Sequence, residues 1–440
     1  MTRSLRDFVP LTENVVNMYV CGPTVYNYIH IGNARSAVAF DTIRRYFEYC
    51  GYTVNYISNF TDVDDKIIKA ANEAGISTKE LSDKFIAAFM EDTGQLGIKP
   101  ATQNPRVINY MDEIIAFVST LVDKGFAYVS EGDVYFRVAK SNNYAKLANK
   151  TLEDLEIGAS GRTDAETERK ENPLDFALWK AAKEGEVSWD SPWGPGRPGW
   201  HIECSVMATE ILGDTIDIHG GGADLEFPHH TNEIAQSEAK TGKTFANYWM
   251  HNGFVNVDNE KMSKSLGNFV TVHDMLQTVD GQVLRFFLAT QQYRKPINFT
   301  EKAIHDAEVN LKYLKNTHSL PLTEQVNQAE LQTYLDAFQE AMDDDFNTAN
   351  GVTVLFDMAK WINSGNYDQT VKDAFEKMLQ VFGIVFEEEV LDEDIEKLIE
   401  ERQAARANKD FATADRIRDE LAAQGIKLLD TKDGVRWTRD

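Results

Sequence analysis

The 440-residue sequence contains no run of 18 apolar residues, and its first twenty residues mix charge, proline and apolar positions. The first absence argues against a transmembrane helix, and the second argues against a signal peptide. We therefore expect a cytoplasmic protein with no membrane partner. The chain is too long for one ordinary hydrophobic core and predicts two to four domains.

Cysteine is scarce. Cys21, Cys50 and Cys204 are odd in number and far apart, which argues against a disulfide framework. Such cysteines serve as core thiols, metal ligands or nucleophiles, and we expect at least one of them to be a small buried hydrophobe. Cys50 lies at the end of a predicted helix and is interpreted as a packed or idle thiol.

Positive charge is in deficit, because 45 Lys and Arg residues face 70 Asp and Glu residues and the formal net charge is −25. A protein that coats nucleic acid without specificity would not have this balance. Residues 396–440 differ, with ten basic and ten acidic side chains. This neutral tail is a candidate for nucleic-acid contact, although a mixed-charge helix is more often a solvated surface.

Hydrophobic periodicity predicts an α/β fold. A strand at 17–22, a helix at 31–51 and a strand at 52–62 follow one another with short connections, which favours a parallel sheet. Residues 127–138 alternate around Glu131-Gly132 and predict a hairpin. From about residue 300 the pattern indicates long amphipathic helices, the last of which breaks near Asn408.

Four separated residues form a candidate metal set. Cys21 ends the first predicted strand, Cys204 lies at a predicted helix start, and His229 and Glu233 share one helical face at i,i+4 spacing. Thiolates would favour Zn²⁺ over Mg²⁺ or Ca²⁺. The spacing alone does not establish the set, since the sequence is not H-E-x-x-H and the alternatives for the pair are a catalytic base or only the start of a helix.

Three further motifs suit phosphate binding, each with a plainer alternative. His30 and Gly32 lie where a strand turns into a helix, a place that offers unpaired N–H groups to phosphates, or only a capped turn. The segment KMSKS carries Lys261 and Lys264, which would stabilise phosphate charge or simply be solvated. The glycines of HGGGAD (219–224) allow close ligand approach or form a flexible turn.

Taken together, the motifs resemble a known family. HIGN and KMSKS, about 230 residues apart, resemble the two signatures of class I aminoacyl-tRNA synthetases, and MYVCGPTVY, TDVDDK, GWHIECS, HGGGADLEFPHHTNE and MDDDFNTA resemble the cysteinyl-tRNA synthetases from about residue 10 onward. The resemblance implies ATP-driven ligation of L-cysteine to cysteine tRNA with AMP and diphosphate as products, one Zn²⁺ per subunit, Mg²⁺ with ATP, and a monomer. It implies a Rossmann-like catalytic domain with an inserted connective domain, a helical bundle and an anticodon-binding module. The predicted bounds are 1–115 and 196–300 for the catalytic halves, 116–195 for the insertion, 301–390 for the bundle and 391–440 for the module.

The resemblance also assigns site residues. It implies that zinc at Cys21, Cys204, His229 and Glu233 binds the substrate thiolate, which rejects serine without an editing domain. The other implied roles are catalysis by His30, Lys261 and Lys264; ATP binding by Pro23, His30, Gly32, Asn33, Gly220, Gly221, Asp224 and Lys264; cysteine binding by Gly22, Thr24, Thr61 and Trp200; and anticodon contact by Arg406, Phe411, Asp415 and Asp430.

Two departures and two rivals accompany this hypothesis. Asn33 replaces the second histidine of the class I signature, so we expect His30 and Lys264 to carry the catalysis. Family members usually have a further strand-like stretch before TRSLRDF, so we expect a misassigned start or a lost edge strand. Phe411 is equally well interpreted as a core residue. The rivals are a ligase that passes cysteine to an amino sugar, against which the anticodon-like tail argues, and a silent paralogue, against which the intact motifs argue.

Overall fold

The computed structural model describes residues 2–142, 144–151, 167–262, 267–324, 328–386, 393–431 and 434–439. The chain divides into two compact units, Met1–Val385 and Phe386–Asp440. The finer predicted division of the first unit stays a prediction. None of the helices within the described ranges has the length and apolar character needed to cross a membrane.

The first unit contains eleven strands among its described residues: β1 Val15–Val20, β2 Thr53–Ser58, β3 Ala127–Ser130, β4 Asp133–Phe136, β5 Phe176–Ala181, β6 Gly196–Pro198, β7 Ile216–Gly222, β8 Ala246–Asn252, β9 Val255–Val257, β10 Glu260–Lys261 and β11 Ile297–Phe299. The helices described there are α1 Ile31–Tyr49, α2 Asp65–Ala74, α3 Thr78–Gln95, α4 Met111–Asp123, α5 Trp200–Leu212, α6 Thr231–Thr241, α7 Val272–Met275, α8 Gly281–Ala289, α9 Glu301–His318, α10 Gln328–Asp343, α11 Thr348–Asn363 and α12 Gln369–Val381.

A four-stranded parallel sheet in the order β2-β1-β7-β8 forms the centre of this unit. Apolar side chains of β1 on one face pack with Phe40, Ile43 and Phe47 of α1. This burial explains why the strand–helix–strand pattern was readable in the sequence, and the predicted parallel α/β fold is confirmed. Gly51, the predicted helix stop, has a φ of 90°, which favours glycine.

Both predicted strands are shorter than expected at their carboxyl ends. β1 stops before Cys21, and the amide of Gly22 donates to the Asn59 side chain at 3.0 Å instead of to a neighbouring strand. β2 stops at Ser58, because Asn59 and Thr61 turn buried polar side chains inward. Side-chain and backbone hydrogen bonds together thus hold the chain beyond the strand ends, at the edge where α/β sheets commonly bind ligands.

The predicted hairpin is confirmed within a second sheet, the antiparallel β3-β4-β5-β6. Ser130 pairs with Asp133, so the turn has two residues, and Glu131 and Gly132 both have positive φ. That combination suits a tight hairpin turn. β6 leads directly through Gly199 into α5, which carries Cys204.

The amphipathic pattern after residue 300 is confirmed by α9 to α12, whose apolar sides bury Leu314, Phe338, Leu355 and Phe375. The described part of the second unit contains α13 Glu393–Ala407, α14 Phe411–Ala423, β12 Ile426–Thr431 and β13 Gly434–Arg439. The helix break predicted near Asn408 is confirmed, since α13 ends one residue earlier and Lys409 has a φ of 62°.

Candidate active site and metal centre

The four candidate metal ligands converge although up to 212 residues separate them. Cys21 follows β1, Cys204 lies on α5, His229 lies in the irregular turn Glu226–His230, and Glu233 lies in the first turn of α6. One ligand atom from each lies within 4.8 Å of the others, and all but half-buried Cys21 are buried. The parallel sheet and two helices therefore bring two sulfurs, one imidazole and one carboxylate to one point.

Their spacing fits a tetrahedral zinc site. The sulfurs of Cys21 and Cys204 lie 3.7 Å apart, Cys21 Sγ lies 3.4 Å from Glu233 Oε1, and His229 Nε2 lies 3.1 Å from the same oxygen. Zinc–ligand bonds of about 2.0–2.3 Å at tetrahedral angles give edges of roughly 3.8, 3.6 and 3.4 Å. Each distance is within roughly 0.3 Å of its edge, so the residues present fit the metal.

Electrostatics favour the metal-binding forms of Cys204 and Glu233, whereas burial raises the pKa of the Cys21 thiol well above its usual value. A hydrogen bond from Cys21 lowers the pKa of Cys204 to about 6, so its thiolate is available at neutral pH. Burial disfavours the carboxylate of Glu233, but His219 and His229 hold its pKa well below the usual value. Burial likewise opposes protonation of His229, yet the Glu233 carboxylate raises its pKa to about 10. A metal ion would compete with that proton.

Other histidines surround the ligands. His219 Nε2 lies 2.7 Å from the second oxygen of Glu233, and Nδ1 of His201 lies 2.9 Å from Nδ1 of His229. Such partners orient metal ligands. His230 Nε2 lies 3.4 Å from Cys21 Sγ, and Cys21, His219, His230 and Glu233 form a second convergent set. The sequence analysis had not singled out His219, because a buried histidine before three glycines has no distinctive spacing.

The predicted cysteine-binding residues lie beside this cluster. Thr24 and Thr61 pair as a parallel bridge, and Thr61 Oγ1 accepts a hydrogen bond from the side-chain Nδ2 of Asn59 at 3.2 Å. Trp200 is 41% exposed, and its ring stacks on His229 at 4.4 Å. A Cβ on Gly22 would lie 1.7 Å from the Asn59 carbonyl oxygen, so only glycine fits there. Asn59 was missed by the sequence analysis, since nothing marks it outside the fold.

Glu203 is a second missed residue. It is fully buried beside Cys204, and one of its oxygens lies 3.4 Å from Thr61 Oγ1. The other oxygen has no hydrogen-bond partner within the described part of the chain. Burial raises the pKa of Glu203 well above its usual value.

The predicted nucleotide turn is a reciprocal cap of α1. His30 Nδ1 accepts from the amide of Asn33 at 3.3 Å, and Asn33 Oδ1 accepts from the amide of His30 at 3.2 Å. Asn33 thus has a defined role without carrying charge. A Cβ on Gly32 would meet the His30 ring at 2.9 Å, and the carbonyl of Pro23 accepts from the amide of residue 61 at 3.1 Å.

The predicted adenosine-binding glycines end β7, next to β1. Gly220 pairs with Val20, and a Cβ on Gly220 would lie 2.3 Å from the Phe40 ring. A Cβ on Gly221 would lie 2.9 Å from Leu225, and Asp224 follows in a short 3₁₀ turn. The peptide chain therefore passes very close to its neighbours at the strand end that also carries the metal ligands.

The KMSKS segment is described only in part. Lys261 is exposed in β10, and its Nζ lies 5.7 Å from the centre of the Phe254 ring. Lys264 lies outside the described residues, as do its neighbours at 263, 265 and 266. Their predicted roles stay predictions.

In the second unit, three predicted anticodon residues carry ion pairs. Arg406 and Arg402 both pair with Asp430, the latter at 2.9 Å, and Asp415 pairs with Arg418 at 3.0 Å. Phe411 is 63% exposed at the start of α14, so the alternative that it is a core residue is wrong. Cys50, in the first unit, is also exposed, which leaves the idle-thiol interpretation and removes the packed one.

Comparison with solved structures shows the fold. The chain is similar to Mycobacterium tuberculosis methionyl-tRNA synthetase in complex with methionyl-adenylate, with a TM-score of 0.61 at 15% identity over 84% of this chain and 89% of that one. It is also similar to a putative arginyl-tRNA synthetase from Campylobacter jejuni, with a TM-score of 0.52 at 15% identity over 84% and 90% of the two chains. The fold is therefore that of the class I aminoacyl-tRNA synthetases.

Sequence comparisons give the family. Models described as the tRNA synthetases class I (C) catalytic domain, the DALR domain and the cysteinyl-tRNA ligase anticodon binding domain match residues 7–309, 337–387 and 388–437. The cysteine–tRNA ligases of Streptococcus thermophilus strain CNRZ 1066 and Streptococcus pyogenes serotype M6 are 95% and 84% identical, over all of this chain and 98% of each relative. The chain belongs to the cysteinyl-tRNA synthetase family.

Proposed function

We propose that this protein activates L-cysteine with ATP and transfers it to the 3′ end of cysteine tRNA, selecting cysteine through zinc. The observation that carries the proposal is the buried set Cys21, Cys204, His229 and Glu233, whose spacing fits tetrahedral zinc. Family membership supports the reaction.

Selection would rest on the metal and on the walls around it. When bound, Zn²⁺ would supply a soft Lewis acid that accepts the thiolate of cysteine and discriminates against the hydroxyl of serine. The chain's own residues orient the ligands: His219 holds the outer oxygen of Glu233 and His201 holds Nδ1 of His229. Thr61 and Trp200 border the site, where the Trp200 ring covers His229.

Activation would place the cysteine carboxylate against the α-phosphorus of ATP, with diphosphate leaving and Mg²⁺ accompanying the nucleotide. Close packing against side chains at Gly32, Gly220 and Gly221 fixes the path of the backbone there, and the amino end of α1 attracts phosphate. His30 and Lys264 would stabilise charge developing on the phosphates, with Lys261 nearby in sequence. We expect the positioning of cysteine and ATP to supply most of the rate enhancement, because the protein itself contributes little covalent chemistry.

Recognition of tRNA would use the second unit. The exposed Phe411 ring offers a stacking surface, and Arg406 and Asp430 offer donors and acceptors to unstacked bases. This combination favours tRNA over an amino sugar as the acceptor. The monomeric state and the cytoplasmic location stay predictions.

Charging of total tRNA with labelled cysteine and ATP tests the proposal. We expect cysteine to become attached to tRNA, with parallel serine reactions blank. Cysteine-dependent ATP–pyrophosphate exchange without charging would replace the proposal with the amino-sugar ligase. Absence of both activities in protein shown to contain zinc would favour the silent paralogue.

A further inference from the structure

The turn that carries His30 is hydrogen-bonded to the segment that follows KMSKS. His30 and Thr271 form an antiparallel bridge. Two backbone hydrogen bonds flank it: Ile31 N donates to Val270 O at 3.2 Å, and Val272 N donates to Ile29 O at 2.9 Å. The two signature regions, far apart in sequence, thus share a short antiparallel ribbon.

One pair of side chains closes the end of this ribbon. Tyr28 lies two residues before His30, and His273 lies two residues after Thr271, in the short helix α7. Their rings stack 4.2 Å apart at an interplanar angle of 17°. On the other side of the bridge, Phe269 packs edge-on against His30 at 5.3 Å.

Side chains of helix α3 contact both Tyr28 and His273. Asp92 is 1% exposed, and its Oδ1 lies 3.1 Å from Nδ1 of His273, whose side chain is one-third exposed. The second oxygen of Asp92 has no hydrogen-bond partner among the residues that the structure describes. Phe85 packs edge-on against Tyr28 at 5.3 Å. The contact between the buried Asp92 carboxylate and His273 therefore links α3 to the segment that follows KMSKS.

We propose that His273 is a positioning residue for adenylate formation: paired with Asp92 and stacked on Tyr28, it fixes the His30 turn against the segment that follows KMSKS. The inference rests on the proposed function. Both regions would supply groups to the same nucleotide phosphates, so their relative placement sets the reaction geometry. A misplacement of about 1 Å costs such reactions about 100-fold in rate.

The decisive variants are His273→Ala and Asp92→Asn, with His305→Ala as the matched control. His305 is also an ion-paired histidine, but it lies exposed on α9, away from the ribbon. We expect His273→Ala to lower kcat for cysteine-dependent ATP–pyrophosphate exchange about 10- to 100-fold, with the KM for cysteine unchanged within about twofold. Tyr28→Phe keeps the ring and should keep the rate, whereas Tyr28→Ala should lose it.

Hydrogen–deuterium exchange supplies a readout independent of catalysis. In His273→Ala the amides of Ile31 and Val272 should exchange faster, while peptides elsewhere match the wild type. If the amides of this variant exchange hydrogen as slowly as in the wild type and its kcat is also unchanged, the proposal is overturned. So would a loss of protection throughout the protein, because that indicates a merely structural role. If His273→Ala does not fold, Asp92→Asn decides by the same two criteria. If the wild-type protein shows no cysteine-dependent ATP–pyrophosphate exchange, the proposed function is refuted. The hydrogen–deuterium exchange data still test whether His273 holds the His30 turn against the segment that follows KMSKS.

Discussion

Replacing Cys204 with serine tests the metal centre at the more readily ionised of its two cysteines. Cys204 is 2% exposed and forms a thiolate at neutral pH, because the hydrogen bond from Cys21 lowers its pKa to about 6. A serine hydroxyl in that place is a harder donor that stays protonated. Structural zinc binds with about 10–16 kcal/mol, so one ligand in four contributes about 2.5–4 kcal/mol. We expect the Kd for zinc to rise about 100- to 1000-fold.

Competition with a chromophoric zinc chelator at neutral pH measures this change directly. Cys50→Ser is the matched control, because it makes the same atomic replacement at an exposed cysteine. We expect the control to bind zinc as tightly as the wild type. Equal zinc affinities for Cys204→Ser and Cys50→Ser would refute the assignment of Cys204 as a ligand.

Three further changes test other parts of the account. Gly22→Ala should abolish cysteine-dependent ATP–pyrophosphate exchange, because its Cβ would lie 1.7 Å from Asn59 O; a normal rate would contradict the close approach. Asp41→Asn should lower the free energy of unfolding, measured in urea, by about 3–5 kcal/mol at neutral pH by leaving buried Arg285 unpaired. Burial opposes ionisation of Asp41, yet Arg285 lowers its pKa overall, so this stabilisation is present above about pH 4 and lost in stronger acid; a difference independent of pH would contradict it. Phe411→Ala should lower kcat/KM for tRNA charging about 5- to 150-fold, the loss of about 1–3 kcal/mol of base stacking, and leave ATP–pyrophosphate exchange unchanged; an equal loss in both assays would argue against anticodon contact.

The sheet and helices were predictable because their patterns record burial. Phe40, Ile43 and Phe47 recur at helical spacing since one side of α1 packs on β1, and the two-residue turn at Glu131-Gly132 needs residues that tolerate positive φ. The strand ends were less predictable. The Asn59 side chain replaces ladder hydrogen bonds there, and no local pattern reveals such a contact.

The residues of the site likewise fall into those that were predicted from the sequence and those that were missed. Residue chemistry made the four ligands candidates and family resemblance assigned them to zinc, because spacing along the chain alone would not reveal the set. His219 and Glu203 were missed, since each becomes informative only when the fold buries it beside a ligand. The stack of Tyr28 on His273 joins segments 245 residues apart, and only the fold, which pairs His30 with Thr271, places them together.

The central claim is that zinc selects cysteine, and ATP–pyrophosphate exchange with cysteine and serine, before and after zinc removal, tests it most directly. Zinc-loaded protein should exchange with cysteine and not with serine, and stripped protein should lose the cysteine reaction until zinc is restored. Undiminished cysteine-specific exchange in protein verified to contain no zinc would contradict the account.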